Sequence, residues 1–169
     1  ISPEDALAYY LILNLIAIIF ALKVTIYFLM LAIFNILISF IYSYKLKRTF
    51  VVGNVVDSYL ASICFVAPLF LTNLYEPKAL YSLVLLGMIA FFGNLGREVI
   101  KDIEDKKGDK KLGARTIPIV LNDDVAWLIS KISIIGALIL AIFPILMGIT
   151  SSLYLLGFIP CTYFSISAV

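Results

Sequence analysis

Four carboxylates, Glu98, Asp102, Asp105 and Asp109, recur at steps of four, three and four residues, the spacing that stacks side chains on one face of a helix. Like charges so placed repel one another and call for a compensating cation. The chain contains no histidine, which excludes imidazole metal sites, histidine general bases and every Ser-His or Cys-His nucleophile pair. Short carboxylates with neither imidazole nor thiolate beside them suit a hard ion such as Mg²⁺. Mg²⁺ gives up water reluctantly and usually takes one or two carboxylates, completing its shell with waters and substrate phosphate oxygens. A diphosphate is therefore the expected ligand class. Lys101, Lys106, Lys107, Lys110, Lys111 and Arg115 are interleaved with the acids and can take phosphate oxygens that escape the metal. Gly108 and Gly113 let the chain turn closely around such a group.

The bland alternative is a solvated loop whose charges pair at random. Two features speak against it: the acids share a helical register, and a second basic cluster, Tyr44-Lys45-Leu46-Lys47-Arg48, is expected on the same side of a membrane. That membrane follows from composition. Of the 169 residues 63% are apolar or aromatic and 14% are charged, too few polar groups to cover a water-facing surface. A span of the hydrocarbon core, about 30 Å thick, needs about 20 apolar helical residues. Six runs of that kind occur: Ala6 to Leu22, Val24 to Tyr44, Val51 to Leu74, Ala79 to Gly96, Val125 to Ile149, and Leu153 to Val169. The expected fold class is an all-α, polytopic transmembrane helix bundle, because backbone polar groups in lipid must be paired within each span.

Charge asymmetry supports the span count. With six spans the connections alternate sides, and the two that follow the second and fourth spans hold ten Lys and Arg, against Lys23 and Lys78 on the other side. Such an excess marks the cytoplasmic face. Fourteen of the 24 charges lie between Arg97 and Asp124, so residues 97–124 are read as a cytoplasmic metal- and diphosphate-binding segment. Arg115-Thr116-Ile117-Pro118 is expected to redirect the chain, since the residue before proline avoids helix. Asp123 and Asp124 look like capping charges just ahead of the fifth span. Asp57 is the one acid placed inside a span, where a carboxylate is costly and should face a polar cavity. Cys64 and Cys161 stand in separate apolar runs and suggest packing rather than a disulfide or CxxC site.

The run from Asp102 to Pro118, DIEDKKGDKKLGARTIP, resembles the second aspartate-rich motif of the UbiA superfamily of intramembrane prenyltransferases, and Tyr44 to Arg48 is similar to that superfamily's basic turn. The wording Arg97-Glu98-x-x-Lys101-Asp102 with Gly-Ala-Arg-Thr is closest to its archaeal branch, the digeranylgeranylglyceryl phosphate synthases. The resemblance covers nearly the whole chain, read as part of a single transmembrane prenyltransferase domain. It implies a nine-helix fold whose first motif, N-x-x-x-D-x-x-x-D, has no match here. The six spans would correspond to the third to eighth helices of a longer protein, and the 169 residues alone are expected to show no turnover.

What the resemblance implies for the site is specific. Asp102, Asp105 and Asp109 would be the catalytic and metal-binding residues, Asp105 and Asp109 holding Mg²⁺ on the prenyl diphosphate with Asp102 as ligand or support. Tyr44, Lys45, Lys47, Arg48, Lys101 and Arg115 would bind substrate. The implied reaction is Mg²⁺-dependent transfer of a geranylgeranyl group from geranylgeranyl diphosphate to the hydroxyl of geranylgeranylglyceryl phosphate, in a multi-pass protein of the cell membrane with its mouth on the cytoplasmic side. Aromatic side chains such as Tyr42, Tyr44, Tyr59, Phe91 and Phe92 could stabilise an allylic cation. The expected partners are the prenyl diphosphate, a lipid-like phosphate acceptor and the bilayer, with no nucleic acid. An aromatic acceptor is the alternative within the family. A transporter whose loop acids gather cations is the alternative outside it, but transporters carry polar groups deep in several spans, and here only Asp57 comes close.

Overall fold

The computed structural model describes residues 2–71, 76–149 and 154. Helix α1 (Pro3–Leu22) starts on Ser2, whose hydroxyl accepts from the Asp5 amide at 3.1 Å, with Pro3 in the first turn where its missing N–H costs nothing. Helix α2 (Ile26–Ile41) starts on Thr25 in the same way and continues as a single π-helical turn, Tyr42–Leu46. Helix α3 (Val52–Val66) tightens into a 3₁₀ turn, Ala67–Phe70, at Pro68, so the helix ends earlier than the apolar run that reaches Leu74.

Helix α4 (Pro77–Lys111) is continuous. Its 35 residues, at about 1.5 Å each, make a rod of about 52 Å against a hydrocarbon core of about 30 Å, so the charged part from Arg97 onward stands clear of the apolar stretch. A four-residue helix, α5 (Ile117–Val120), and the long α6 (Asp123–Leu146) follow. The redirection expected over Arg115-Thr116-Ile117-Pro118 is made by its first half: Thr116 is extended, while Ile117, the residue before proline, is already helical and Pro118 sits inside the first turn of α5. The cap of α6 is Asn122, whose side chain accepts from the Val125 amide at 2.8 Å; Asp123 and Asp124 lie within the first turn rather than ahead of it, still favourably placed on the helix dipole. Gly148, at φ +62°, ends α6 short of Ile149.

Five of the described helices are long and apolar enough to cross a membrane, and the chain is an all-α multi-pass membrane protein. The sixth expected span, Leu153 to Val169, falls outside the described residues apart from Tyr154. Packing is uneven. Helix α6 buries a stripe of small residues, Ala126, Ser130, Ser133, Ala137 and Ala141, and α4 meets it at Gly96, where an added Cβ would fall 2.6 Å from Cγ1 of Ile134. The Ser130 hydroxyl donates to the Gly96 carbonyl at 3.0 Å. Close backbone approach over small residues is how helices associate where lipid competes for every apolar contact. By contrast α2 buries no residue and α1 buries only Ala21.

Candidate active site at the polar end of the bundle

The charged end of α4 is fixed by a small apolar cluster between α4, α5 and α6. Val99, Ile117 and Ala126 are fully or nearly fully buried, with Val51, Ile103 and Ile129 packed around them. The turn after α4 follows from Gly113. At φ +70° it closes a Schellman motif, with the Ala114 amide donating to the Asp109 carbonyl at 3.0 Å and the Gly113 amide to Lys110 at 3.3 Å. The Arg115 amide then donates to the Arg48 carbonyl at 3.0 Å, which ties the segment after α4 to the basic turn after α2. Lys106 and Asp123 form an ion pair of 2.6 Å between α4 and α6.

The basic turn is built on unusual backbone. In its π turn the Lys47 amide donates to the Tyr42 carbonyl at 2.9 Å, and such widened turns concentrate at functional sites. Val51 has φ +58° and ψ −46°, and the Val52 amide donates to the Phe50 carbonyl across it at 2.6 Å. That is a γ-turn in its rare, strained form, at a β-branched residue that disfavours positive φ. It delivers the chain to Gly53, where an added Cβ would lie 2.7 Å from the Leu46 carbonyl oxygen. Only glycine lets the turn sit this close to α3.

These elements enclose a pocket of about 220 Å³. Helix α4 supplies Glu98, Lys101, Asp102, Asp105 and Asp109; α3 supplies Gly53 and Asn54; the turn supplies Tyr42, Lys47 and Arg48. All four carboxylates expected on one face of α4 thus line it. Asn54, itself buried, donates from Nδ2 to Oδ2 of Asp102 at 2.8 Å. Glu98 is enclosed, its side chain 8% exposed, and accepts from Lys101 Nζ at 2.8 Å and Arg97 Nη1 at 2.9 Å. It holds Lys101 over the pocket and is itself neutralised. Burial pushes the Asp102 carboxyl above the ordinary carboxylate range, opposed by the Asn54 hydrogen bond and reinforced by Asp109 and Glu98. The hydrogen bond to Glu98 pushes the Lys101 ammonium above the ordinary lysine value.

A carboxylate made uncomfortable by burial and like charge is one a cation would relieve, and the donors are hard oxygens. Among the described residues no three Asp, Glu or Cys side chains are gathered tightly enough to close a metal site by themselves. Helical neighbours three or four apart stand about 5–6 Å from one another at Cβ, so these aspartates suit an ion completed by waters and phosphate oxygens.

Of the residues read from sequence, Lys47, Arg48, Lys101, Asp102, Asp105 and Asp109 are brought together. Tyr44, Lys45 and Arg115 are not among the lining residues: Tyr44 is 84% exposed and stacked on Phe40, with ring planes 2° apart, and the side chains of Lys45 and Arg115 are exposed. Asp57 lies between α3 and α4, accepting from Asn94 Nδ2 at 2.9 Å. Three lining residues escaped the sequence reading of the site: Asn54, Gly53 and Tyr42 in a polar role. The signal for Asn54 was present, because Asn54, Asp57, Ser58 and Ser62 form a polar stripe at helical spacing along an apolar run.

The description of the UbiA prenyltransferase family matches residues 1–169. The chain belongs to that family. It is 35% identical over 132 residues to the digeranylgeranylglyceryl phosphate synthase of Methanopyrus kandleri, covering 78% of this chain and 47% of that protein. It is 36% identical over 151 residues to the protein of the same name from Thermococcus kodakarensis, covering 88% and 52%. Among solved structures it is similar to one described as "Structural and mechanistic insights into the biosynthesis of Digeranylgeranylglyceryl phosphate synthase in membranes", with a TM-score of 0.76, 27% identity, and coverage of 99% of this chain and 58% of that one. The chain thus spans about half the length of the curated relatives it matches. The acidic face of α4 and the basic turn after α2 are the parts of this chain that meet across the pocket.

Proposed function

We propose that the whole protein transfers a geranylgeranyl group from geranylgeranyl diphosphate to the hydroxyl of geranylgeranylglyceryl phosphate, in a Mg²⁺-dependent reaction at the cytoplasmic face of the cell membrane. The observation that carries this reading is the juxtaposition of three aspartates of α4 with Lys47, Arg48 and Lys101 around one pocket at the polar end of an apolar bundle. An acidic wall for a metal-bound diphosphate facing a basic wall for its remaining oxygens is what release of pyrophosphate beside lipid requires. The name of the relatives, digeranylgeranylglyceryl phosphate synthase, supports the product of this reaction.

Asp102, Asp105 and Asp109 would hold Mg²⁺, which when bound neutralises phosphate oxygens and eases departure of the pyrophosphate. Lys47, Arg48 and Lys101 stabilise the charge that grows on the leaving group, Lys101 without reorganising because Glu98 already fixes it. The apolar helices beyond the mouth take up the isoprenoid and keep water from the allylic cation. Exposed Lys110, Lys111 and Arg115 near the mouth are suited to the phosphate of the acceptor.

The test uses the whole protein. Incubation with geranylgeranyl diphosphate and a panel of acceptors, with products weighed by mass spectrometry, should give the digeranylgeranylglyceryl ether. An aromatic product in its place would replace the acceptor assignment. Pyrophosphate release that persists unchanged in Asp105→Ala and Asp109→Ala would remove the role given to the aspartates.

A further inference from the structure

Asn54 and Asp102 form one cross-helix pair, and Asp57 and Asn94 form a second between the same helices with the residue types exchanged. The first is accounted for by the site: it steadies an aspartate of the pocket. The second has no such duty. A carboxylate enclosed between α3 and α4 at the edge of the apolar region is costly unless held and used.

Its other neighbour gives it a use. The Tyr42 phenol faces the Asp57 carboxylate, and the charges of Glu98 and Asp102 also act on it. A carboxylate can only accept, so a phenol turned to it offers its proton there and keeps the lone pairs of its oxygen free to accept. Tyr42 also lines the pocket, where the other described lining side chains are charged, amide or glycine. It sits where α2 leaves its apolar stretch and enters the π turn, the boundary between polar mouth and oil. A prenyl diphosphate straddles that boundary, with its diphosphate among the ions and its chain among the helices. Its reactive carbon therefore comes to the level of Tyr42.

We infer that Tyr42, held by Asp57 and Asn94, is the subsite that receives the nucleophilic hydroxyl of a lipid alcohol acceptor and aims its oxygen at the prenyl carbon. This rests on the function proposed above and names the part of that site which recognises the acceptor. In the step so aligned, the carbon–oxygen bond to the diphosphate breaks with its electron pair leaving on pyrophosphate. The acceptor oxygen forms the new carbon–oxygen bond, and its proton ends on the released pyrophosphate. Tyr42 and Asp57 keep their own protonation and act by orientation.

Loss of aim should uncouple the two halves of the reaction, because an ionised prenyl group with a misplaced acceptor is captured by water. In the whole protein, pyrophosphate released and ether formed are measured in the same reaction, with geranylgeranyl diphosphate and geranylgeranylglyceryl phosphate at saturation. Wild type should give a ratio near one. Tyr42→Phe should raise pyrophosphate over ether at least tenfold, with a geranylgeraniol by-product, while KM for the prenyl diphosphate stays within twofold. Asp57→Asn, which keeps the side-chain shape, should raise the ratio by a smaller factor, and Tyr81→Phe, on the exposed far part of α4, should leave it at one. A ratio that stays near one in both Tyr42→Phe and Asp57→Asn, whether total turnover is retained or lost, overturns the subsite. A wild-type protein that releases no pyrophosphate instead overturns the proposed function, so the two failures are told apart.

Discussion

Helices α3, α4 and α6 and helices α1 and α2 all carry a stretch apolar enough to cross a membrane, yet they pack differently. The first group closes on glycine, alanine and serine, with the Ser130 hydroxyl on the Gly96 carbonyl and two Asn–Asp pairs across the α3–α4 seam. The α1–α2 hairpin has large side chains all round and buries almost nothing, with Leu13 63% exposed and Phe20 66% exposed. In water the second group would be the more strongly driven to associate, but lipid removes that drive. What remains is close approach and polar bonding. The seam that can enclose polar groups is therefore the seam that carries the site.

The largest effect expected from disturbing the seam is chemical. Asp105→Ala or Asp109→Ala in the whole protein should lower Mg²⁺-dependent pyrophosphate release at least 100-fold, while the melting temperature changes little, since among the described residues neither side chain is bonded across helices. A pyrophosphate assay beside a thermal melt in detergent checks both. Next, Gly96→Leu should overpack the α4–α6 crossing and destabilise the protein by about 1–3 kcal/mol or more, read as a lower midpoint in a detergent-unfolding titration. Leu13→Ala in the hairpin, the matched change on the loose side, should stay within about 0.5 kcal/mol. Equal losses at the two positions would erase the contrast.

Asn54→Ala should cost less than the overpacked glycine but reach both stability and activity. It leaves a part-buried Asp102 without its donor, a loss of about 1–3 kcal/mol, and should weaken prenyl diphosphate binding several-fold in an equilibrium assay. Asn54→Asp should be worse than Asn54→Ala, because it adds a like charge beside one already pushed towards protonation by burial. The smallest effect expected is at Val51. Val51→Gly relieves a positive φ worth about 1–3 kcal/mol, but it adds backbone entropy of about 0.5–1 kcal/mol to the unfolded chain and gives up the packing of the side chain on Val99, Ile117 and Ala126. These contributions oppose one another, so stability should move by no more than about 1 kcal/mol, and a loss of the about 2–5 kcal/mol usual for truncating a packed side chain would show that the γ-turn at Val51 is not strained.

Much of the molecule was legible in residue order, and for definite reasons. The positions of the spans depend on hydropathy, which is a sum along the chain; the five described spans appear where the runs stand, with ends moved by Pro68, Gly148 and the cap residues. The face shared by Glu98, Asp102, Asp105 and Asp109 was legible because a helix fixes the relation of residues three and four apart without help from anything else. The acidic wall is thus a local property of α4. Partnership was not legible: no count along the chain says that Asn54 reaches Asp102, that Glu98 spends its charge on Lys101 and Arg97, or that Tyr44 points outward while Tyr42 turns in. Residues two apart face opposite ways on a helix, which separates Tyr42 from Tyr44, but the chain alone does not say which of them meets the pocket. Composition and period set which chemistry was present; the crossing of α3 with α4, and the turn that Gly53 allows against α3, decided which groups face one another, since distances between helices depend on contacts many residues apart.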